Sequence, residues 1–212
     1  MKESKEAMQI LNIDHLGIVA GIIDEMELVE EVNKIVGIKR KENLTPGQVI
    51  KAMILNGLGF LSALLYLLDE FFVGKATEHL IGEGVLPKHL NDDKLGRELD
   101  KCYQVGTTKI FTAVAIKAAH KFQVEMHSIH LDGTSMSVEG EYKKEIEEIE
   151  QTKQKTEENK LEIEPEMKAI EIVHGYSRDK RPDLKQFIID MIVTGDGDTA
   201  LPSVMRYTEF KI

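Results

Sequence analysis

Residues 127–138, HSIHLDGTSMSV, mark the point at which the periodicity of the chain changes from helical to extended. The residues alternate toward Asp132, and after Gly133 the alternation continues through Thr134, Met136 and Val138. A period of two residues is typical of a β-strand. We therefore predict a strand that ends at Asp132, a break that contains Gly133, and a continuation of the extended chain after it.

Ahead of this stretch the chain has the periodicity of helices, and a bundle of five or six helices is predicted. The clearest helix start is Thr45, which can cap a helix that has Pro46 at its first position and Gln48 reaching back to the cap. The predicted helices cover about 28–36, 45–58, 61–72, 91–105 and 107–122, and the run 61–72 is apolar enough for a central core helix. The predicted buried faces are Val49, Ile50, Met53, Ile54 and Leu58 in the second helix, and Leu95, Leu99 and Tyr103 in the fourth.

Two further strands are predicted downstream, from Ala169 to Tyr176 and from Gln186 to Thr194, and the Gly195 to Asp198 segment is predicted to turn the chain. Three strands in succession are most simply arranged as an antiparallel meander. The fold class is therefore predicted as α+β, with a helical domain over 1–125 and strands over 126–212. An acidic insertion at about 141–168, rich in Glu, Lys and Gln, separates the first two strands and is either a solvated helix or a mobile insertion.

The composition limits the functional classes. The net charge of −10 argues against a protein that coats nucleic acid, but the segment from Glu139 to Glu171 carries 12 acidic and 6 basic residues and holds more than half of this excess. No apolar run approaches the roughly 20 residues of a membrane span, and the N-terminus lacks the pattern of an export signal. We predict a cytoplasmic protein without membrane contact. The single cysteine, Cys102, is predicted to be a small buried side chain.

Asp132 is the first candidate for chemistry, because a carboxylate at the end of a strand can coordinate a metal ion that prefers oxygen ligands. Taken alone the signal is weak, since such an aspartate more often caps a turn. His127 and His130 flank the predicted strand, and a structural role is favoured over metal binding. His15, His79, His89 and His120 show no convergent spacing.

The residues around Asp132 make the signal more specific. The motifs LDGTSMSVEGEY (131–142) and HGYSRDKRPDLKQ (174–186) together resemble the DDE transposases of bacterial insertion sequences, in the insertion-sequence-four superfamily and in the branch that opens with a helical domain of unknown function. The stretches LTPGQVIKAMILNGLGF (44–60), LYLLDEFF (65–72) and LNDDKLGRELD (90–100) resemble that opening domain. The resemblance extends from about Ile13 to about Pro202.

The resemblance implies an RNase H-like core that opens with three antiparallel strands, preceded by a DNA-binding helical domain. Asp132 corresponds to the first catalytic acid and metal ligand, Mg²⁺ or Mn²⁺ is the expected cofactor, and the expected partners are insertion-sequence ends, full-length transposase and a second copy of the chain. The second aspartate and the glutamate of the family have no counterpart here. We therefore expect an N-terminal fragment, truncated at the C-terminus, that is catalytically inactive alone, since one aspartate cannot hold two metal ions.

Three other aspartates are candidate replacements for the missing acids. Asp190 lies in the middle of a predicted strand, and Asp196 and Asp198 are typical turn residues, so none is expected to complete a metal site. The alternative to a catalytic fragment is a DNA-binding or oligomerising regulator of transposition.

The second candidate site is basic. In the family this region lies on two strands and their turn near the active-site face, where cationic groups meet DNA phosphates. The alternative is a solubilising turn in which Asp179 and Asp183 pair with the cations. The cluster consists of His174, Arg178, Lys180, Arg181 and Lys185.

Overall fold

The computed structural model describes residues 10–38, 42–60, 63–124, 129–140, 172–175, 180–194 and 200–206. The chain divides into two compact units, Met1–Val124 and Glu125–Ile212. The first unit is helical and the second contains the strands, so the protein belongs to the α+β class.

Seven α-helices form the described part of the first unit, together with two single 3-10 turns. None of these helices has both the length and the apolar character that are needed to cross a membrane. The helices are α1 (Leu16–Glu25), α2 (Leu28–Val36), α3 (Pro46–Gly57), α4 (Leu68–Phe71), α5 (Thr77–Leu80), α6 (Asp92–Val105) and α7 (Thr107–Lys121).

The predicted helix ends are confirmed where capping chemistry is strong. The Thr45 hydroxyl accepts a hydrogen bond from the Gln48 backbone N–H at 3.3 Å, and the Thr45 N–H donates to Gln48 Oε1 at 2.9 Å. This reciprocal pair satisfies two backbone donors at the start of α3. Asn91 caps α6 with a single hydrogen bond, since its Oδ1 accepts from the Lys94 N–H at 2.9 Å. Gly106, at φ 104°, separates α6 from α7.

α2 and α3 approach each other closely at Gly47. The Gly47 N–H, in the first turn of α3, donates to Asn33 Oδ1 of α2 at 2.9 Å. A β-carbon placed on Gly47 would lie 2.4 Å from the carbonyl oxygen of Val29, so only glycine allows this contact. The surrounding core is made of fully buried apolar side chains, including Leu16, Val32, Leu44, Val49, Leu55, Leu68, Phe72, Leu80, Leu90 and Leu95.

The predicted core helix at 61–72 is wrong. The described part of that run contains a 3-10 turn at Leu65–Leu67 and the short α4, and only Leu68 and Phe72 are buried. The cause lies in Asn56, whose side chain forms two hydrogen bonds of 2.8 Å with the backbone of Ala63. This pair holds the chain in a loop after α3 and leaves Leu64 and Tyr66 exposed.

The predicted buried face of α6 is also wrong in part. Leu95 is buried, but Tyr103 is exposed, and the other buried positions are Glu98 and Cys102. Glu98 can occupy a buried position because Lys94 and Lys101, one turn away on each side, donate to its carboxylate at 2.7 Å and 2.8 Å. Lys101 also donates to Glu42 at 2.8 Å, and this hydrogen bond holds the pKa of the Glu42 carboxyl below its usual value.

Cys102 is buried, as predicted, and its burial raises the pKa of the thiol. The thiolate is the nucleophile in alkylation. Burial limits access to the sulfur and the raised pKa lowers the thiolate fraction, so both protect Cys102 in the folded protein. We expect iodoacetamide to modify Cys102 slowly at neutral pH and at the rate of a free thiol in denaturant. Mass spectrometry over time measures both rates, and equal rates would contradict the burial of Cys102.

The described strands of the second unit form one antiparallel sheet. They are β1 (Ile129–Val138), β2 (Val173–His174), β3 (Lys185–Thr194) and β4 (Ala200–Arg206). β3 is central, because β1 pairs along one side of it and β2 and β4 pair along the other. The predicted meander through the Ala169 to Tyr176 strand is therefore wrong. In the described part, β2 is only two residues long, whereas β1 and β3 match each other over ten.

The predicted break at Gly133 is wrong as well. β1 runs through Asp132 and Gly133 without interruption, and Asp132 is paired with Met191. Gly133 pairs with Asp190, and a β-carbon on Gly133 would lie 3.0 Å from Asp190 Oδ1. A glycine inside a strand often marks such a close approach from a neighbouring strand. Gly133 thus makes room for Asp190 and does not end the strand.

β4 was not predicted, because Pro202 is unfavourable in a regular strand. The register between β3 and β4 shifts between Asp190 and Ile192, so that Pro202 and Ser203 together lie opposite the single residue Met191. This is a β-bulge, a position at which a strand tolerates proline. The predicted acidic insertion at 141–168 and the predicted turn residues Asp196 and Asp198 lie outside the described residues.

Candidate nucleic-acid interface

Asp132 is the fourth of the ten residues of β1, in the interior of the strand. The pairs Asp132–Met191 and Gly133–Asp190 are consecutive in the register. Because successive positions of a strand belong to opposite faces of a sheet, the Asp132 and Asp190 positions belong to different faces. The two aspartates are neighbours in the register without sharing a face.

The residues around Asp132 can be compared with what a metal centre needs. Two-metal phosphoryl transfer requires several carboxylates around two ions a few ångströms apart. Within the described ranges, no three His, Cys, Asp or Glu side chains are grouped so that they could hold a metal ion. His130 is exposed on β1, and His127 lies outside the described residues.

The basic residues are brought together at the other end of β1 and β3. Lys185 is the first residue of β3 and pairs with His174 of β2 on one side and with Val138 of β1 on the other. Lys180 and Arg181 lie five and four residues before Lys185, the first residue of β3, and are exposed. Arg178 lies outside the described residues. We use the term basic cluster for the four described residues His174, Lys180, Arg181 and Lys185.

A tight turn positions the basic cluster. The Leu184 N–H donates to the carbonyl oxygen of Arg181 at 3.2 Å, so residues 181–184 form a β-turn with Pro182 at its second position. Lys180 has a φ of 58°, in the left-handed region, where a non-glycine residue is uncommon. The backbone ahead of β3 is thus bent sharply, and the turn presents Lys180 and Arg181 to solvent.

Gln186 connects this turn to β2. Its side chain is buried, and its Nε2 lies 3.5 Å from both the carbonyl oxygen of Gly175 and that of Arg181. These two long hydrogen bonds link the end of β2 to the turn on which Arg181 lies. From the sequence, Gln186 is predicted only as the first residue of a strand. The available signal was a polar residue at the end of the HGYSRDKRPDLKQ motif, directly before an apolar strand.

The basic cluster also has acidic neighbours. The Arg181 guanidinium forms a bidentate pair with the Asp183 carboxylate, with Nη2 to Oδ2 at 2.8 Å and Nε to Oδ1 at 3.0 Å. This hydrogen bonding raises the pKa of Arg181 and lowers the pKa of Asp183. The pairing with Asp183 agrees with the solubilising-turn alternative for this one arginine, whereas Asp179 lies outside the described residues. Both side chains are exposed, so a phosphate can compete with Asp183 for the guanidinium.

The distance between the two predicted sites follows from the register. Asp132 is six positions from Val138, which pairs with Lys185. At the usual rise of a strand this separation is about 20 Å. The sheet therefore gathers the basic residues at one end but does not bring Asp132 to them. At this end lie the cations of the basic cluster together with the carboxylate of Asp183, and Asp132 lies at a distance from them.

The histidines of the helical unit either have structural contacts or are exposed. His15 shares a hydrogen bond of 2.9 Å with the carbonyl oxygen of Leu58 and stacks on Phe60, and the Leu86 N–H donates to His89 Nδ1 at 3.1 Å. His79 and His120 are exposed. In the described helical unit these histidines do not form a metal site.

Comparisons with known proteins give one match. A family model described as "Domain of unknown function (DUF4277)" matches residues 8–116, which is more than half of the chain. No curated protein and no solved structure matches the chain. The matched residues span α1 to α6 and most of α7, whereas the basic cluster lies outside them.

Proposed function

The chain belongs to the family of the domain of unknown function DUF4277, and we propose that it is a DNA-transposition protein of the DDE type whose basic cluster binds the phosphates of insertion-sequence ends. In this proposal the sheet is the opening of an RNase H-like core, and Asp132 is its first acid. The activity assigned to the chain acting alone is DNA binding, without strand cleavage.

One observation carries the proposal. The two motifs on which the transposase resemblance rests are far apart in sequence, yet β1 of the first motif pairs directly with β3, which begins inside the second motif. Val138 and Lys185 are neighbours at one end of this pair. Two motifs that form one functional surface must be neighbours in the fold, and these two motifs are neighbours through the β1–β3 pair. It supports the proposal more strongly than either motif alone.

The strand arrangement gives further support. The long strands β1, β3 and β4 are antiparallel neighbours with β3 in the middle. The resemblance implies an RNase H-like core that opens with three antiparallel strands and carries its first acid on the first of them. β1 carries Asp132 and is the first of the three, and in this proposal β4 is the third long strand in place of the predicted Ala169 to Tyr176 strand.

DNA binding is favoured over independent catalysis for a physical reason. Cations at one sheet end can make phosphate contacts without a metal ion. Cleavage needs several carboxylates placed around two metal ions, and the motifs of this sequence identify only one of them, Asp132. The proposed chain therefore binds DNA ends, either as part of a transposase assembly or as a regulator that occupies them.

The test uses fluorescence anisotropy with DNA from the terminal repeats of the element and with unrelated DNA of equal length, over a series of salt concentrations. We expect tighter binding to the terminal repeats. The double variant Lys180→Gln/Lys185→Gln should weaken binding to both DNAs and reduce the slope of log K against log salt by about 2, since each lost phosphate contact removes about 0.9 from the slope.

The matched control is Lys88→Gln, which removes an exposed lysine from the helical unit. We expect this variant to bind like the wild type. Equal and weak binding to both DNAs, or a double variant that is indistinguishable from Lys88→Gln, would overturn the proposal. In the same samples with Mg²⁺ or Mn²⁺ we expect no cleavage or joining of DNA. Cleavage that disappears in Asp132→Asn would show that the chain is catalytic by itself.

A further inference from the structure

The register of the sheet places Asp132 and the strand residues of the basic cluster on one face. Residues directly opposite each other on antiparallel strands belong to the same face, and successive residues of a strand alternate between the two faces. Asp132 and Val138 are six positions apart, an even number, so their positions share a face. Lys185 lies opposite Val138, and His174 lies opposite Lys185, so both belong to that face as well. We call it the Asp132 face.

The positions of β1 and β3 that lie between Asp132 and Lys185 on this face are uncharged. They are Thr134 and Met136 of β1, and Ile189 and Phe187 of β3. Asp190, the other aspartate of these two strands, pairs with Gly133 and therefore belongs to the opposite face. A DNA backbone that follows this strip from Lys185 to Asp132 thus passes no other carboxylate of β1 or β3.

The separation between acid and bases runs along the strands and not across them. Lys185 belongs to β3, the strand next to β1, and neighbouring strands are only about 4.8 Å apart. The six positions from Asp132 to Val138 span about 20 Å along β1. A duplex that reaches from Lys185 to Asp132 therefore lies nearly parallel to β1.

We propose that the DNA end lies along the Asp132 face in the direction of β1, with the phosphate at the element boundary at Asp132 and Lys185 on phosphates about six base pairs into the element. The number follows from two spacings, since the strand separation is about 20 Å and a duplex rises about 3.4 Å per base pair. The contact lies inside the element because the terminal repeats do. This inference rests on the proposed function and adds the face, the direction and the spacing of the bound DNA.

Neutralising one phosphate at a time maps the two ends of this strip. Terminal-repeat duplexes that each carry a single uncharged methylphosphonate, scanned through both strands, are titrated with the full chain by fluorescence anisotropy in EDTA. At the phosphate that Lys185 contacts, we expect the substitution to weaken wild-type binding roughly fivefold, as for an exposed ion pair, and to have little effect on Lys185→Gln. At the phosphate beside Asp132 we expect the opposite sign, because two negative charges repel each other. Neutralisation there tightens wild-type binding, and it gives no further gain in Asp132→Asn.

The matched control is Asp190→Asn, which removes an aspartate at the next pair of the register but from the opposite face. We expect this variant to give the same phosphate map as the wild type. The inference is confirmed if the phosphates coupled to Lys185 and to Asp132 lie about six base pairs apart along the duplex, within about three either way. A separation outside that range, no phosphate coupled to Asp132, or an Asp190→Asn map that matches the Asp132→Asn map would overturn it.

Failure of the proposed function gives a different result. A wild-type chain that binds terminal-repeat and unrelated DNA equally would overturn the proposed function and this inference together. A clear preference for the terminal repeats combined with the wrong phosphate spacing would overturn only the placement of the DNA on the Asp132 face.

Discussion

Replacing Gly47 with alanine is expected to lower the free energy of unfolding by about 3 kcal/mol. The added β-carbon would lie 2.4 Å from the carbonyl oxygen of Val29 and 2.8 Å from its α-carbon. Both are backbone atoms of α2, so the clash cannot be relieved by rotating a side chain. α2 and α3 must move apart, which also strains the hydrogen bond from the Gly47 N–H to Asn33.

The control for Gly47→Ala is Gly21→Ala. Gly21 is also helical, but a β-carbon there would meet nothing within 4 Å. Alanine at Gly21 is expected to be neutral or to stabilise the protein by up to about 1 kcal/mol, because it restricts the unfolded chain and favours the helix. Urea unfolding of the two variants measures the difference. Similar midpoints for both would mean that α2 and α3 are not in the close contact described above.

Removing the Glu98 carboxylate is expected to have an effect of comparable size. Glu98 is only 1% exposed and lies between Lys94 and Lys101, which are themselves largely buried. Glu98→Ala leaves two ammonium groups to share Glu42 and opens a cavity on the core side of α6. Breaking a buried ion pair by removing one partner typically costs about 3 kcal/mol or more, because the remaining charge is left uncompensated.

Two control variants separate charge from position. Glu98→Gln keeps the shape of the side chain but removes its charge, and it should recover part of the packing lost in Glu98→Ala. Glu30→Ala removes an exposed glutamate from α2 and is expected to change stability by less than about 0.5 kcal/mol. If thermal unfolding showed Glu98→Ala to be as harmless as Glu30→Ala, the lysines would be reaching solvent and the network would not contribute to stability.

Local signals were sufficient to predict parts of the fold. Thr45 with Gln48, Asn91, and Gly106 act within one helical turn, and each sets a helix end as predicted. Long-range effects could not be predicted in this way. The loop after α3 depends on the Asn56–Ala63 pair, and the order of the strands depends on the match in length between β1 and β3.

Buried charges were the main failure in predicting the helical core. Lys51 is 2% exposed on α3, with its ammonium on the Asp24 carboxylate of α1, while the predicted core residue Leu58 is 55% exposed. A hydrophobic pattern places lysine and glutamate at the surface, because it contains no information about a partner elsewhere in the chain. The burial of Glu98 was missed for the same reason.

The candidate site was predicted in composition but not in geometry. The basic residues His174, Arg178, Lys180, Arg181 and Lys185 could be identified from the sequence, and the register brings His174 and Lys185 together. The pairing of Lys185 with Val138, six positions from Asp132, could not be predicted, because strand register is set by pairing between distant segments. The transposase relationship and the RNase H-like fold remain predictions that the proposed experiments test.

The pairing of β1 with β3 has a consequence for how this protein can vary in evolution. Ten consecutive residue pairs hold β1 and β3 together. The last residue of β1, Val138, and the first residue of β3, Lys185, are paired with each other but are far apart in sequence. Because the entropy of closing a loop grows only logarithmically, halving or doubling the chain between them changes stability by only about 0.6 kcal/mol. Ladder stability therefore sets little limit on the length of the chain between Val138 and Val173, whereas the stretch from Val173 to Lys185 is constrained by β2 and the basic cluster.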